Sequence, residues 1–404
     1  MSKLRKIVVG ISGGVDSAVA ALLLKKKGFC VEGVFMQNWD IADEKGRCSA
    51  SEDYKDASIV CDKLNIKLRH VNFVKQYWND VFTYLIKEYE AGYTPNPDIL
   101  CNRNIKFNYF YDYATEILGA DAIATGHYAR TSFGPYLENY DPNKNVSMHL
   151  AADEKKDQTF FLCQIEQKAL RHTMFPLGNL QKSEVKQIAT DNNLEKFAQK
   201  KESMGICFIG SRNFQDFIQE YIEDKPGDFI NIDNGKVVGQ HTGIHKWTVG
   251  QRTRLQGLPE AFFVARKNVE NNIIYVAQGT QHPVLFTKLF YTSPAHWIND
   301  QPDVFKKDEI LHCHFKFQHT KPWIPCKVFQ TNNGLVVSLS EETRAITAGQ
   351  YAVFCKDNEC LGSAKILNSG VSEYFSKLDV FKNDFDIQNT SLKSCDKIKL
   401  HSVN

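Results

Sequence analysis

The chain has 404 residues, 43% of them hydrophobic and 24% charged, with a formal net charge of +2. This length exceeds one compact core and points to two or three domains, and the near-neutral balance excludes nucleic-acid binding through global charge. The 11 cysteines are scattered without a Cys-x-x-Cys pair, which fits a reducing compartment and speaks against a zinc ribbon or a cysteine-held iron–sulfur cluster.

In chain order, apolar runs at 7–10, 31–35, 68–73 and 122–126 read as short strands. Segments 18–27, 52–64, 77–89 and 105–118 carry helical spacing between them. Such alternation predicts an α/β fold with a parallel sheet, helices on both faces and ligands at the carboxyl ends of the strands. A polar loop follows at 134–146, and helical character resumes at 159–169 and 182–192. After about residue 225 short alternating strands are separated by Asn-Gly, Pro-Gly and Asn-Asn turns, a pattern of small β domains ending in a barrel. No apolar run approaches the length needed to cross a bilayer, and no membrane contact is expected. Lys3, Arg5 and Lys6 leave little room for a transit peptide before the first strand, which by itself favours the cytosol or a very short import signal.

The first turn is the most telling. Gly10-Ile11-Ser12-Gly13-Gly14-Val15-Asp16-Ser17 lies between the first strand and the first helix. Glycines there let backbone amides converge on an anion, while the helix start and the two serine hydroxyls add donors. The loop lacks the Gly-x-x-x-x-Gly-Lys-Ser/Thr pattern and resembles the SGGxDS loop of enzymes that adenylate a substrate and release pyrophosphate. A plain glycine turn is the competing reading.

Two cysteines stand out by their settings. Cys101 follows Asn96-Pro97-Asp98-Ile99-Leu100, where Pro95 and Pro97 break helical structure, so it is expected at a turn leading into a helix near Arg103. That position would favour the thiolate, with Asp98 at hand as a proton carrier. Cys207 lies between Gly205 and Gly210, after Lys200 and Lys201, as on a loop in an electropositive setting. For either residue, simple packing is the alternative.

Taken together, SGGVDS, NPDILCN, ATGHYAR, KDQTFFL and ESMGICFIG resemble, in that order, the tRNA-specific 2-thiouridylases, and the 73–82 stretch is similar to their mitochondrial branch. The resemblance covers about residues 5–367 and implies an ATP-pyrophosphatase-type domain over 1–210, a central tRNA-binding domain over 211–285 and a C-terminal β-barrel over 286–370, while the polar, aperiodic composition of 371–404 reads as a loosely ordered tail. It implies 2-thiolation of the wobble uridine of tRNAs for lysine, glutamate and glutamine in mitochondria, with the cytoplasm as the alternative location. ATP with Mg²⁺ would be held by Gly10, Ile11, Ser12, Gly13, Gly14, Val15, Asp16 and Ser17, with Met36 and Gly126 at the nucleoside. Cys207 would carry a persulfide received from a cysteine desulfurase or sulfur-relay protein. Cys101 would be the nucleophile, a transient Cys101–Cys207 disulfide would follow, and Asp98 would be the acid–base residue. Asn96, Pro97 and Asp98 would surround the target base, while Lys156, Asp157, Gln158 and, by a looser match, Lys316 and Phe317 would contact tRNA. No protein metal ligand is expected beyond Mg²⁺ with ATP.

Three expectations rest on the residues themselves. Alternation would put His314 and Lys316 on one outer face of a strand. A basic track would run through Lys155, Lys156, Lys200, Lys201 and Lys316. A metal site from His312, Cys313, His314 and His319 fits no standard spacing. Two rival functions remain at this point: another adenylating synthetase or amidotransferase, which would not need the two cysteines, and a non-catalytic tRNA-binding protein that retains ATP.

Overall fold

A computed structural model describes residues 6–39, 49–200, 209, 213–255, 257, 260–307 and 309–370. Cys207, Lys201 and the 371–404 tail lie outside the described residues.

The first domain is a parallel sheet of five strands. It contains β1 (Lys6–Gly10), β2 (Cys30–Gln37), β3 (Lys67–Asn72), β4 (Ala122–Ala124) and a short strand Thr173–Met174, in the spatial order β3-β2-β1-β4-Thr173–Met174. Ile7, Val8 and Val9 are fully buried, because a strand covered on both faces needs apolar side chains at every position. The order reverses beside β1, so its carboxyl end, where the 12–17 loop begins, is the switch point of the sheet. Helix α1 (Val15–Lys26) is rich in Ala and Leu and buried around most of its circumference, with Asp16 in its first turn and Lys25 and Lys26 in its last. Helix α2 (Ser49–Leu64) covers β2 and β3.

Two expected helices differ from the sequence reading. The one placed at 105–118 starts earlier, at Pro97, where Asn96 caps it by accepting from Ile99 N at 3.3 Å. It then continues through a wider, π-type stretch over Cys101–Tyr109. The helix expected at 159–169 is two short pieces, Thr159–Leu162 and Gln167–Leu170, separated where Glu166 takes an extended conformation.

Beyond the first domain, strands Phe262–Asn268, Ile273–Gln278, Gly227–Asn231 and Val237–His241 form a four-stranded sheet over Phe229, Val264, Ile274 and Val276. Six further strands close into a barrel, because Phe286–Thr292 pairs with both Gly334–Arg344 and Glu359–Ser369. Closure removes the exposed edges. The expected architecture, an α/β parallel-sheet domain with a small central domain and a C-terminal β-barrel, is therefore the observed one.

The barrel is fastened to the first domain at many points, among them Gln164 Nε2 on Ser363 Oγ at 2.7 Å, and two of them lie beside the site. The hairpin Arg130–Thr131 and Met148–His149 adds to its sheet through His149 opposite Glu359. The loop before Tyr351 also docks near the start of the Pro97 helix, with Thr94 N donating to Ala348 O at 2.9 Å.

Candidate active site

The 12–17 loop is knitted by its own hydroxyls. Ser12 N donates to Ser17 Oγ at 3.1 Å, and Ser17 Oγ donates to Gly14 O at 3.1 Å. Ile11 and Val15 turn their side chains into the core, so only their backbone faces the loop's concave side. Glycine is required at two approaches. Gly13 has φ +75°, and a Cβ there would stand 2.5 Å from Asp53 O on α2. A Cβ on Gly126 would stand 2.6 Å from Ser17 N and 2.7 Å from Asp16 C. A third glycine, Gly10, sits against Met36, whose Cε would be 3.1 Å from an added Cβ. Met36, Gly126 and the loop thus share one end of the sheet. Bare backbone, hydroxyl donors and the Asp16 carboxylate at a helix start fit a phosphate chain with a divalent cation.

Asp16 is not left to solvent. Lys182, at the start of helix Lys182–Thr190, lies 2.7 Å from both carboxylate oxygens, and Tyr128 donates its hydroxyl to Oδ1 at 2.8 Å. Neither partner was singled out in the sequence, where Lys182 is 166 positions from Asp16.

The residue after Gly126 links this loop to the cysteine helix. His127 Nδ1 lies 2.8 Å from Thr125 Oγ1, and its Nε2 faces Lys106 Nζ at 3.5 Å. Burial, with Lys106 acting in the same sense, holds the imidazole well below its ordinary pKa. Neutral His127 therefore accepts from Lys106 through Nε2, with the proton on Nδ1. Lys106 lies on the π-type stretch that begins at Cys101, and Cys101 is buried at 6% exposure. Cys101 stands one turn inside the helix, not at a turn before it, because Asn96 and Pro97 start the helix earlier than Arg103. Asp98 is open to solvent yet crowded by protein. The crowding raises its carboxyl pKa, and Lys106 partly opposes this.

The barrel contributes Gln350, which the sequence reading missed. Its Nε2 donates to Thr94 O at 2.7 Å, and its Oε1 lies 3.5 Å from Asn96 Nδ2. Gln350 thereby steadies the Asn96-Pro97-Asp98 turn from a different domain.

The residues expected at tRNA divide by burial. Lys155 is exposed, and Lys156 and Gln158 are half-buried. Asp157 is buried at 6%, where it accepts from Ala151 N at 2.8 Å and Thr159 Oγ1 at 2.7 Å. Gln158 accepts from Tyr128 N at 2.9 Å through Oε1, so its side chain braces the Asp16 partner.

The outer-face expectation for Lys316 is corrected. His314 faces out, but Lys316 is 9% exposed, with its ammonium 4.8 Å from the Trp323 ring and 3.4 Å from His319 O. Burial lowers its pKa, against the pull of Asp157. The alternation breaks because the chain after Lys316 folds against the first domain, where His319 Nε2 donates to Asp157 O at 2.7 Å. Phe317 is likewise turned inward, 2% exposed and stacked on Phe315 at 5.7 Å, so neither side chain presents an outer surface. Lys200 leaves the expected open track as well, paired with Asp56 at 2.7 Å and Asp53 at 3.0 Å. His312 and His314 point outward, Cys313 inward, and His319 toward Asp157, so this quartet diverges.

Comparison with known proteins gives three consecutive family matches. They are described as a tRNA methyl transferase HUP domain over residues 5–211, a tRNA methyl transferase PRC-barrel domain over 215–278 and an aminomethyltransferase beta-barrel domain over 287–366. The chain is 53% identical over 368 residues to mitochondrial tRNA-specific 2-thiouridylase 1 of Drosophila melanogaster, covering 91% of this chain and 95% of that protein. It is 48% identical over 391 residues to the Homo sapiens protein of the same name, covering 93% of each. It is 46% identical over 367 residues to tRNA-specific 2-thiouridylase MnmA of Streptococcus agalactiae, covering 89% of this chain and 95% of that protein.

Proposed function

The chain belongs to the tRNA-specific 2-thiouridylase family, in its mitochondrial branch, and from that premise we propose how this tRNA sulfurtransferase makes 2-thiouridine. ATP adenylates the 2-oxygen of the wobble uridine in tRNAs for lysine, glutamate and glutamine, and pyrophosphate leaves. Backbone from Gly10 to Gly14 and the hydroxyls of Ser12 and Ser17 hold the phosphates, and Met36 and Gly126 border the nucleoside. A bound Mg²⁺ would neutralise phosphate charge beside Asp16.

Sulfur arrives as a persulfide on Cys207, loaded by a cysteine desulfurase or a relay protein. The terminal sulfur attacks C2 of the activated base, and AMP departs with the C2–O electron pair. The Cys101 thiolate then attacks the Cys207 sulfur. The bond to the transferred sulfur breaks, its electron pair stays on the base as the thiocarbonyl, and a Cys101–Cys207 disulfide forms. A dithiol reductant restores both thiols. Asp98, with its raised pKa, exchanges the proton of the base, and Asn96 and Pro97 border it.

One observation carries the reading. Gly126 abuts Asp16 and Ser17, while the next residue, His127, reaches Lys106 on the helix of Cys101. This adjacency supports a reading in which adenylation and sulfur transfer act on a single base without its release. The test is a reconstituted reaction with tRNA transcript, following pyrophosphate release and, by nucleoside mass spectrometry, 2-thiouridine. Absence of both products with loaded persulfide would refute the proposal.

A further inference from the structure

The only carboxylate within the 12–17 loop is already neutralised by the protein. Lys182 Nζ stands 2.7 Å from both oxygens of Asp16, and the two side chains are 11% and 33% exposed. Tyr128 takes a further lone pair on Oδ1 at 2.8 Å. The backbone behind the lysine is pinned: Lys182 N donates to Asp153 Oδ2 at 2.9 Å, and the other oxygen of Asp153 accepts from Lys155 N and Lys156 N at 3.1 and 3.2 Å. Lys182 can thus leave Asp16 only by swinging its flexible four-carbon stem.

A divalent cation and an ammonium cannot occupy the same two oxygens, since like charges at contact distance repel strongly where water is scarce. If a metal is to bridge Asp16 and a phosphate chain, the ammonium must move, and the phosphates then offer it a new anion. We propose that Lys182 is a resting-state substitute for the divalent cation at Asp16. It holds the carboxylate until metal and nucleotide arrive together, then moves onto the phosphates that depart as pyrophosphate. Lys182 stays protonated throughout, so the exchange trades one ion pair for another and needs no co-reactant. The inference deepens the proposed function and rests on its assignment of the loop to ATP.

The test reads binding in the full chain. Mn²⁺ alone, followed by electron paramagnetic resonance, should bind wild type weakly. Lys182→Met should tighten Mn²⁺ binding by roughly tenfold, the order expected for unmasking a partly buried carboxylate, and adding Asp16→Asn should abolish the gain. In calorimetry the same Lys182→Met variant should bind Mg²⁺–ATP about tenfold more weakly, having lost a phosphate partner. Lys182→Arg, which keeps a cation on Asp16, should leave binding of Mn²⁺ alone at the wild-type level. Should Lys182→Met not fold, Lys182→Gln keeps a polar donor, one bond shorter and without the charge, and gives the same two readouts. Unchanged Mn²⁺ binding, or Mg²⁺–ATP affinity equal to wild type, overturns the proposal. A wild-type enzyme that binds Mg²⁺–ATP but never releases pyrophosphate with tRNA would instead remove the underlying functional reading.

Discussion

Replacing Gly126 by alanine tests whether the approach of this residue to the 12–17 loop sets the rate. The added Cβ would lie 2.6 Å from Ser17 N, 2.7 Å from Asp16 C and 3.0 Å from Ser17 Cα, all backbone atoms. Ordinary contact begins near 3.4 Å, so the two segments must separate by about 0.8 Å. Neither side yields easily. Helix α1 is buried on most sides, and β4 is hydrogen-bonded to both β1 and Thr173–Met174. Overpacking of this kind costs about 1–3 kcal/mol, or roughly 2–12 °C in melting temperature for a domain of this size. The larger effect should fall on turnover, because a shift of about 1 Å in reacting groups can cost about 100-fold. The assay is tRNA-dependent pyrophosphate release with a melting curve on the same preparation. Gly14→Ala is the control for the fold, since its Cβ would meet only Ser12 Oγ at 3.5 Å. Turnover of Gly126→Ala within about threefold of wild type, with an unchanged melting temperature, would refute the steric reasoning.

Cys101→Ser and Cys207→Ser should each abolish 2-thiouridine while leaving ATP binding intact; near-normal thiolation in either variant removes the two-cysteine mechanism. Crowding by the surrounding protein raises the Asp98 pKa although the residue is open to solvent, so the folded protein holds that proton more tightly than the unfolded chain, and wild type loses stability as pH climbs from the unfolded Asp value through the folded one. Asp98→Asn should therefore melt higher than wild type at pH 7, with the gap closing in acid and thiolation lost; a lower melting temperature at pH 7 contradicts this. Gln158→Ala should impair pyrophosphate release with little change in tRNA affinity, because Gln158 braces Tyr128; equilibrium binding and release assays on one preparation separate the two effects. Phe317→Ala should cost about 3–5 kcal/mol of stability without weakening tRNA binding by the folded fraction, whereas Lys155→Ala with Lys156→Ala should flatten the salt dependence of that binding.

Features whose cause is local were legible in the sequence. Strand, glycine turn and helix over residues 6–26 are contiguous, and the apolar run of β1 with the Ala/Leu content of α1 is enough to specify them. The parallel sheet and the turn-rich β region follow from periods that a short window displays. A helix start near Arg103 falls too late because Pro97, read with Pro95 as a helix breaker, is instead the first-turn residue behind the Asn96 cap. What only the tertiary structure decided are pairings across long separations. Lys182 on Asp16, Lys106 against His127 and Gln350 against Thr94 each join elements whose neighbourhood depends on sheet order and barrel docking. Lys316 shows the same limit in reverse. Alternation places it outside with His314, but packing of the following turn on Asp157 and Phe161 encloses it, since burial on a strand is set by what covers each face and not by the period alone.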